Sequence, residues 1–300
     1  MIDPMSGNEA AIPEIEPSEQ LPFMTLDTTD FENMSRGEQI RHFEVEGYVV
    51  LPRILDVEMI SRLKEELADA EMGHKSYSTY QTVGEQQPQW HSRACCELIA
   101  HPPMIDFLSD LLGDDIVFTR GFFQRTMPGS PPISMHTDGQ PYGSDLFGFE
   151  GSCPRLVRVL YYLDDLTPER APFRVIPRSH LSYHADANPY TRFKYHPKEV
   201  TITVPAGSAV LIPVMLFHGT HPNIDPTPRE LIQFGYRAAW AGPVQPMEEW
   251  PENLVANAPE VAKPFLQSVN TADYDWVQPH KPRDMKTESS AVDPDRWDKS

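Results

Sequence analysis

The chain has 300 residues, 40% of them hydrophobic and 31 of them proline, which suits one large domain or two small ones around a substantial core. Its 44 acidic and 25 basic residues give a formal net charge of −19, which disfavours nucleic acid and anionic lipid as partners. The three cysteines indicate no disulfide framework, and the acidic N-terminus lacks the features of a signal peptide. No apolar run approaches the length of a membrane span, so we expect a cytoplasmic protein.

The N-terminal third is predicted to be mainly helical. Residues 1–35 are rich in proline and acidic residues without periodicity, which is typical of a mobile arm. Apolar residues at helical spacing then predict helices at 36–47, 57–72 and 102–115, framing one early strand at 48–55.

The character of the chain changes after residue 115. Short β-branched and aromatic segments alternate with turns rich in proline and glycine, which favours a sandwich or barrel. The predicted strands are 116–127, 155–165, 173–177, 200–205, 208–219 and 230–240. We therefore predict a mainly β domain with flanking helices over 36–240, and a C-terminal extension over 241–300 that packs on the barrel or trails from it.

A histidine and an aspartate stand two residues apart in the stretch SMHTDGQ, as His136 and Asp138. In a strand, residues at this spacing point to the same face, so both side chains can reach one point in space. A metal ion is the obvious occupant, but such a site needs a third ligand.

His218 is the best candidate for that ligand, because it follows the apolar run AVLIPVMLF and is expected at the end of a buried strand. Two imidazoles and one carboxylate form the facial triad of non-haem Fe(II) oxygenases, which leaves positions open for a cosubstrate and O₂. Arg229 opens the next strand and offers a fork for the carboxylate of a 2-oxo acid. The alternative for Arg229 is a surface arginine that caps the turn after Pro228.

The ordered set H-x-D, then FHGTHPN, then an arginine eleven residues after the histidine, resembles the phytanoyl-CoA dioxygenase (PhyH-like) family of Fe(II)/2-oxoglutarate dioxygenases. The resemblance spans roughly residues 37–240 and includes HFEVEGYVVLPRILD, LLGDD and VRVLYYLDDLTPERAPFRVIPRSH. It implies a double-stranded β-helix core, of the jelly-roll or cupin-like type.

The resemblance also implies roles for individual residues. It places Fe(II) on His136, Asp138 and His218, and 2-oxoglutarate on Arg229, with Thr220 close to the cosubstrate. His221 is the rival third ligand, but the spacing to the arginine matches the family only from His218. Asp138 is retained where related halogenases have a small residue, so oxygen transfer is favoured over halogenation.

The chain departs from the family pattern at two turns. Ala171-Pro172 stands where the family often has a glycine before the proline, and Arg178 replaces the glycine of PGSH. The second change suggests a different local turn or a basic contact near the pocket rim. On β-strand alternation, Phe123 and Arg125 share a face and are expected to line the pocket.

The predicted activity is hydroxylation of an unactivated C–H bond in a small-molecule substrate, with release of succinate and CO₂. Two alternatives stay open: a cupin-like metal enzyme that does not use 2-oxoglutarate, and a non-catalytic small-molecule-binding barrel. Segments 73–100 and 139–151 are aromatic-rich candidates to cover the pocket mouth, although ordinary loop packing explains them equally well.

Overall fold

The computed structural model describes residues 24–75, 78–138, 156–181, 195–241, 247–270, 293 and 295–300. Within these residues, strands form the centre of the molecule and five α-helices flank them, as predicted for a mainly β protein. None of the helices in this part of the chain is long and apolar enough to span a lipid bilayer.

The helices lie mostly in the N-terminal third. Helix α1 begins at a capping box, in which the Ser35 hydroxyl accepts from the Glu38 backbone N–H and the Glu38 carboxylate accepts from the Ser35 backbone N–H. The same helix ends at Gly47, whose φ of +90° favours glycine. The five helices are α1 (Arg36–Glu46), α2 (Val57–Glu66), α3 (Arg93–Leu98), α4 (Pro102–Leu112) and α5 (Glu252–Asn257).

Ten strands in the described residues form two antiparallel sheets. They are β1 (Val49–Leu51), β2 (Gly73–Lys75), β3 (Ser78–Gln86), β4 (Ile116–Thr126), β5 (Leu156–Tyr162), β6 (Phe173–Val175), β7 (Val200–Ile202), β8 (Ala209–Pro213), β9 (His218–Thr220) and β10 (Arg229–Ala238). The large sheet has the order β1-β8-β5-β10-β4-β3-β2, and the small sheet has the order β7-β6-β9. This arrangement agrees with the predicted jelly-roll core.

The two faces of the large sheet have different neighbours. On one face, helices cover the strands: the Tyr236 hydroxyl of β10 donates to the Ile99 carbonyl beside α3, at 3.0 Å. On the other face, side chains of β4, β5 and β10 line a pocket together with side chains of β6 and β9 from the small sheet. The pocket therefore lies between the two sheets.

The N-terminal third contains more strand than we predicted. Segment 73–100, which was a candidate cover for the pocket, instead forms β2, β3 and α3. Strand β3 pairs with β4 and extends the large sheet, so the segment belongs to the fold. The helix predicted at 57–72 ends at Glu66.

The predicted mobile arm includes residues that pack on the fold. Leu26 forms a β-bridge with Thr201 of β7, and the Phe31 side chain is buried in the core. The arm prediction for residues 1–35 is therefore wrong for 24–35, and its remainder lies outside the described residues.

The strand predicted at 208–219 is two strands. Strand β8 ends at Pro213, a buried turn follows over 214–217, and β9 begins at His218 in the other sheet. His218 therefore opens a strand of the small sheet, where the sequence predicted the end of one long strand.

The described parts of the C-terminal extension contact the rest of the molecule. The Trp250 ring stacks on Phe118, with 5.7 Å between centroids, and the Arg237 guanidinium donates to the Val269 carbonyl at 3.1 Å. Residues 295–300 lie along α1, where the Gly37 N–H donates to the Lys299 carbonyl at 2.8 Å.

Candidate metal centre

A pair of backbone hydrogen bonds brings the two histidines together. The His136 N–H donates to the His218 carbonyl at 2.9 Å, and the His218 N–H donates to the His136 carbonyl at 2.8 Å. The two imidazole rings consequently lie 4.4 Å apart between centroids. His136 forms an isolated β-bridge with His218 and is not part of a longer strand. The bridge nevertheless places the two histidines side by side, as the metal-site hypothesis requires.

Both rings have their Nε2 atoms free to bind a metal. Nδ1 of His136 lies 2.8 Å from the Ser134 carbonyl, and Nδ1 of His218 lies 2.9 Å from the Leu216 carbonyl. Because a carbonyl oxygen can only accept, each Nδ1 must carry the hydrogen. In the neutral form of each ring the lone pair is therefore on Nε2, as a metal-binding histidine requires.

Asp138 completes the cluster. Its backbone N–H donates to the Val214 carbonyl at 2.9 Å, which ties the H-x-D segment to the turn between β8 and β9. Carboxylate atom Oδ1 lies 3.7 Å from Nε2 of His136 and 4.0 Å from Nε2 of His218. The other atom, Oδ2, accepts from Nε of Arg158 at 3.2 Å.

The donor set fits a first-row divalent metal. One ligand atom from each of His136, Asp138 and His218 lies within 4.8 Å of the other two. Ligand atoms that each sit about 2.1 Å from one ion are about 3–4 Å apart, so little movement would close the site. Two imidazoles and one carboxylate are the set typical of non-haem iron, and the Arg158 contact leaves a single carboxylate oxygen for the ion.

The protonation states suit metal binding. Burial and the neighbouring His136 ring lower the pKa of His218 to about 4, so this imidazole is neutral at pH 7. Burial acts to raise the pKa of Asp138, but the His218 ring, which is protonated at the acidic pH where this carboxyl titrates, and the Arg158 guanidinium outweigh it and hold this pKa below its usual range. The carboxylate is therefore ionised.

A buried arginine lies at another wall of the same pocket. Arg229 is 1% exposed, and its guanidinium donates to the Ala171 carbonyl at 3.0 Å and to the Thr126 hydroxyl at 2.8 Å. Its Nε has no hydrogen-bond partner, and no carboxylate in the described residues forms an ion pair with it. A buried cation without a counter-ion is costly, so this one is suited to a carboxylate ligand.

The other residue predicted near the cosubstrate is Thr220. Its hydroxyl oxygen accepts from the Ile133 N–H at 3.2 Å, which leaves the hydroxyl hydrogen available to the pocket. The pocket brings the predicted metal ligands, Thr220 and Arg229 together. It is lined by Gln124, Ile133, His136, Asp138, Leu160, Tyr162, Phe173, Ile212, His218, Gly219, Thr220, Arg229, Leu231 and Gln233.

Two polar residues of the pocket were missed in the sequence analysis. The Tyr162 hydroxyl and the Gln124 amide nitrogen are both buried without a hydrogen-bond partner. Tyr162 continues the alternation of Arg158 and Leu160 along β5, so that pattern could have identified it.

The prediction that Phe123 and Arg125 line the pocket is wrong. Phe123 is fully buried in the core, and the Arg125 guanidinium pairs with Glu230 at 2.7 Å on the helix-facing side of the sheet. The sequence analysis assigned the wrong face of β4 to the pocket, and the neighbouring residue Gln124 lines it instead.

His221, the rival third ligand, lies outside the cluster, and so does His180. Nε2 of His221 is hydrogen-bonded to the Thr201 hydroxyl at 2.9 Å, and the residue is 2% exposed. Nε2 of His180 lies 2.9 Å from the Glu44 carbonyl of α1. The Arg178 guanidinium binds Glu46 of α1 and does not reach the pocket rim.

The sequence matches the family model for phytanoyl-CoA dioxygenase (PhyH) over residues 43–231. A curated relative, the probable alpha-ketoglutarate-dependent hypophosphite dioxygenase of Stutzerimonas stutzeri, is 22% identical over 69% of this chain and 80% of its own.

Two solved structures share the fold. The alpha-ketoglutarate-dependent epimerase SnoN from nogalamycin biosynthesis has a TM-score of 0.57 at 20% identity, covering 68% of this chain and 83% of its own. HygX from Streptomyces hygroscopicus, solved with nickel, 2-oxoglutarate and hygromycin B, has a TM-score of 0.56 at 20% identity, covering 68% and 87%.

A jelly-roll core with a histidine–aspartate–histidine cluster in its pocket defines the class of non-haem iron, 2-oxoglutarate-dependent dioxygenases. The chain belongs to the phytanoyl-CoA dioxygenase family within that class.

Proposed function

We propose that the protein hydroxylates an unactivated C–H bond of a small molecule, with Fe(II) on His136, Asp138 and His218 and 2-oxoglutarate on Arg229 and Thr220. One observation carries this assignment: the three ligand atoms and the buried arginine without a carboxylate partner line a single pocket. A 2-oxo diacid has a chelating end for the metal and a second carboxylate for the arginine.

The side chains have distinct tasks in this proposal. His136 and His218 donate their Nδ1 hydrogens to backbone carbonyls, which leaves each Nε2 to bind the metal. Asp138 supplies one oxygen, while Arg158 holds the other. Arg229 and Thr220 orient the distal carboxylate of 2-oxoglutarate through charge-assisted hydrogen bonds.

The bound iron supplies the oxidation: 2-oxoglutarate, O₂ and R–H become succinate, CO₂ and R–OH. The chain itself supplies positioning and exclusion of water. Leu160, Phe173, Ile212 and Leu231 give the pocket apolar walls, which suits an organic substrate. The retained carboxylate of Asp138 occupies the position that halide would need, which favours transfer of oxygen.

The alternatives lack a role for Arg229. A cupin-like enzyme that did not use 2-oxoglutarate would have no need of a buried guanidinium opposite the metal site. The named relatives act on or bind small molecules, hypophosphite for one and hygromycin B for another. We extend only that general class to this protein, and we expect it to act in the cytoplasm without nucleic acid or membrane partners.

The test is succinate release by the purified protein with Fe(II), ascorbate, O₂ and 2-oxoglutarate. Without the substrate we expect slow, uncoupled turnover that Asp138→Ala abolishes. Arg125→Ala is the matched control, because Arg125 pairs with Glu230 away from the pocket and its loss should leave turnover intact. Absence of succinate from the wild type, or unchanged turnover in Asp138→Ala, would refute the proposal.

A further inference from the structure

Arg120 and Arg158 flank Gly235 on the pocket-facing side of the large sheet, at the opposite end of β10 from Arg229. In the register of the large sheet, Gly235 of β10 lies opposite Arg120 of β4 on one side and opposite Arg158 of β5 on the other. Side chains alternate between the two faces along a strand, and Gln233 of β10 and Leu160 of β5 line the pocket. Gly235 and Arg158, two residues along the same strands, and Arg120, which pairs with Gly235, therefore lie in one row on the pocket face.

A β-bulge adds a hydroxyl to this row. The pairing of β10 with β4 shifts between Gly235 and Tyr236, whose partners are Arg120 and Phe118, so Thr119 is left without a partner of its own. A bulge of this kind turns two consecutive side chains toward one residue of the neighbouring strand. Thr119 and Arg120 both consequently face Gly235.

The groups around Gly235 include three buried hydrogen-bonding atoms without a partner in the described residues. They are Oγ1 of Thr119, Nε of Arg120 and Nη1 of Arg158. A β-carbon placed on Gly235 would lie 2.6 Å from the threonine oxygen, 3.4 Å from the Arg158 nitrogen and 3.5 Å from Cγ of Arg120. The threonine hydroxyl thus packs directly on the Gly235 backbone, where a β-carbon has no room, and the two arginine side chains flank it.

The charges around Gly235 do not balance. Arg158 is 2% exposed and uses its Nε for Asp138, while Arg120 forms no ion pair with any described residue. Burial and the charge of Arg158 lower the pKa of Arg120 to about 10, which still leaves the Arg120 guanidinium protonated at pH 7. Two cations thus share one carboxylate, which is itself a predicted metal ligand. An added anion would relieve this repulsion.

We propose that Thr119, Arg120 and Arg158 form an oxyanion subsite around Gly235, which binds a carboxylate or phosphate group of the substrate. This inference rests on the proposed function in that the subsite would orient the substrate next to the same metal. Arg158 reaches both the subsite and Asp138, so a bound oxyanion lies within one side chain of the metal ligands.

The distal carboxylate of 2-oxoglutarate is too far away to be this anion. Gly235 and Arg229 are six residues apart on β10, which corresponds to about 20 Å along the strand. A five-carbon diacid held by Arg229 is much shorter than this distance. In the proposed function the other end of 2-oxoglutarate is engaged by the metal, which leaves the subsite to an anionic group of a separate molecule.

The direct test is a calorimetric titration of the metal-free protein with inorganic phosphate. We expect one saturable site, and binding at least about tenfold weaker in Arg120→Met and in Thr119→Val, because charge-assisted and buried hydrogen bonds are lost. Gly235→Ala should weaken binding by displacing the Thr119 hydroxyl, which packs on this backbone; if the variant does not fold, the other two variants decide. Arg125→Met is the control, since Arg125 lies on the same strand but pairs with Glu230 on the opposite face.

Lack of saturable phosphate binding by the wild type, or equal weakening in Arg125→Met, would overturn the subsite. A second titration tests whether the subsite binds the substrate or the cosubstrate. In it, 2-oxoglutarate is added anaerobically to the Fe(II)-loaded protein, and its binding is followed by charge-transfer absorption. Arg120→Met should keep the wild-type affinity for 2-oxoglutarate, and a loss as large as that in Arg229→Ala would assign the pair to the cosubstrate instead. Phosphate binding by the metal-free protein is independent of turnover, so failure of the proposed dioxygenase reaction would be recognised separately.

Discussion

At the scale of single residues, the two predicted histidine ligands are oriented by the same local device. Each imidazole donates from Nδ1 to the backbone carbonyl two residues earlier, Ser134 for His136 and Leu216 for His218. This contact fixes both the tautomer and the direction of the ring without a second side chain. The orientation of both rings is therefore set by two short stretches of backbone.

The choice between His218 and His221 gives the first prediction. His221→Ala should bind Fe(II) like the wild type, because its Nε2 is already hydrogen-bonded to Thr201 and lies outside the ligand cluster. His218→Ala should lose Fe(II) binding. The measurement for both variants is the iron content per chain after anaerobic reconstitution and desalting. Retention of iron by His218→Ala, together with its loss from His221→Ala, would make His221 the third ligand.

Arg229 gives the second prediction, which concerns affinity for the cosubstrate. Hydrogen bonds to charged groups contribute roughly 1.5–3 kcal/mol, so Arg229→Ala should raise the KM for 2-oxoglutarate at least about tenfold. Arg229→Lys keeps the charge but loses the fork, and should fall in between. A 2-oxoglutarate titration of succinate release compares the three proteins, with iron content as the control because Arg229 is not a ligand. An unchanged KM in Arg229→Ala would mean that another group holds the cosubstrate.

At the scale of elements, the break between β8 and β9 is the feature that the sequence did not reveal. Residues 209–217 are apolar throughout and fully buried, so polarity does not mark the turn at 214–217. The turn nevertheless has a function, since its Val214 carbonyl accepts the Asp138 N–H and its Leu216 carbonyl orients His218. A single long strand would have left His218 in the wrong sheet.

The identities of the candidate ligands were easier to predict from the sequence than the facing of the strands. Residue type, order and the family spacing to Arg229 select His136, Asp138 and His218 as candidate metal ligands. The phase of β4 was misread because both faces of that strand are covered, one by helices and one by the second sheet, so Phe122 and Phe123 are both apolar. The alternation of side chains along β4 then separates its two faces but does not identify which face lines the pocket.

The two turns that depart from the family pattern keep a glycine-like backbone. Ala171 has φ of +45° and Arg178 has φ of +65°, both in the left-handed region where side chains are strained. Ala171 turns its carbonyl toward Arg229, and Arg178 binds Glu46. Both residues thus adopt a left-handed backbone conformation that glycine would adopt more easily.

The contact between β9 and the H-x-D segment gives the third prediction. A β-carbon on Gly219 would lie 2.5 Å from the Ile133 carbonyl and 3.2 Å from the Ser134 carbonyl. Gly219→Ala should therefore push the H-x-D segment away from β9 and lower the affinity for Fe(II) at least about tenfold, since 1.4 kcal/mol of strain is sufficient. Calorimetric titration with Fe(II) measures the loss, and far-ultraviolet circular dichroism checks that the sheets remain. Wild-type affinity in a folded variant would contradict the close approach.

At the scale of the whole molecule, the C-terminus closes onto the first helix. The Glu44 carboxylate of α1 is completely buried and accepts hydrogen bonds from Arg296 at 2.9 and 3.0 Å and from the Trp297 indole at 2.6 Å. Without these partners, α1 would carry an unpaired charge in the interior. The last residues of the chain therefore stabilise the helix that precedes the first strand of the large sheet.

This contact gives the fourth prediction. Arg296→Ala removes the cation from a buried carboxylate and should lower the free energy of unfolding by about 3 kcal/mol, because the remaining charge stays desolvated. The double variant Glu44→Leu with Arg296→Ala removes both charges and should regain much of that loss. Arg93→Ala is the control, since its pair with Glu97 is exposed and such pairs contribute about 0.5 kcal/mol or less. Chemical denaturation measures all four proteins, and equal stability of Arg296→Ala and Arg93→Ala would show that the C-terminus does not hold α1.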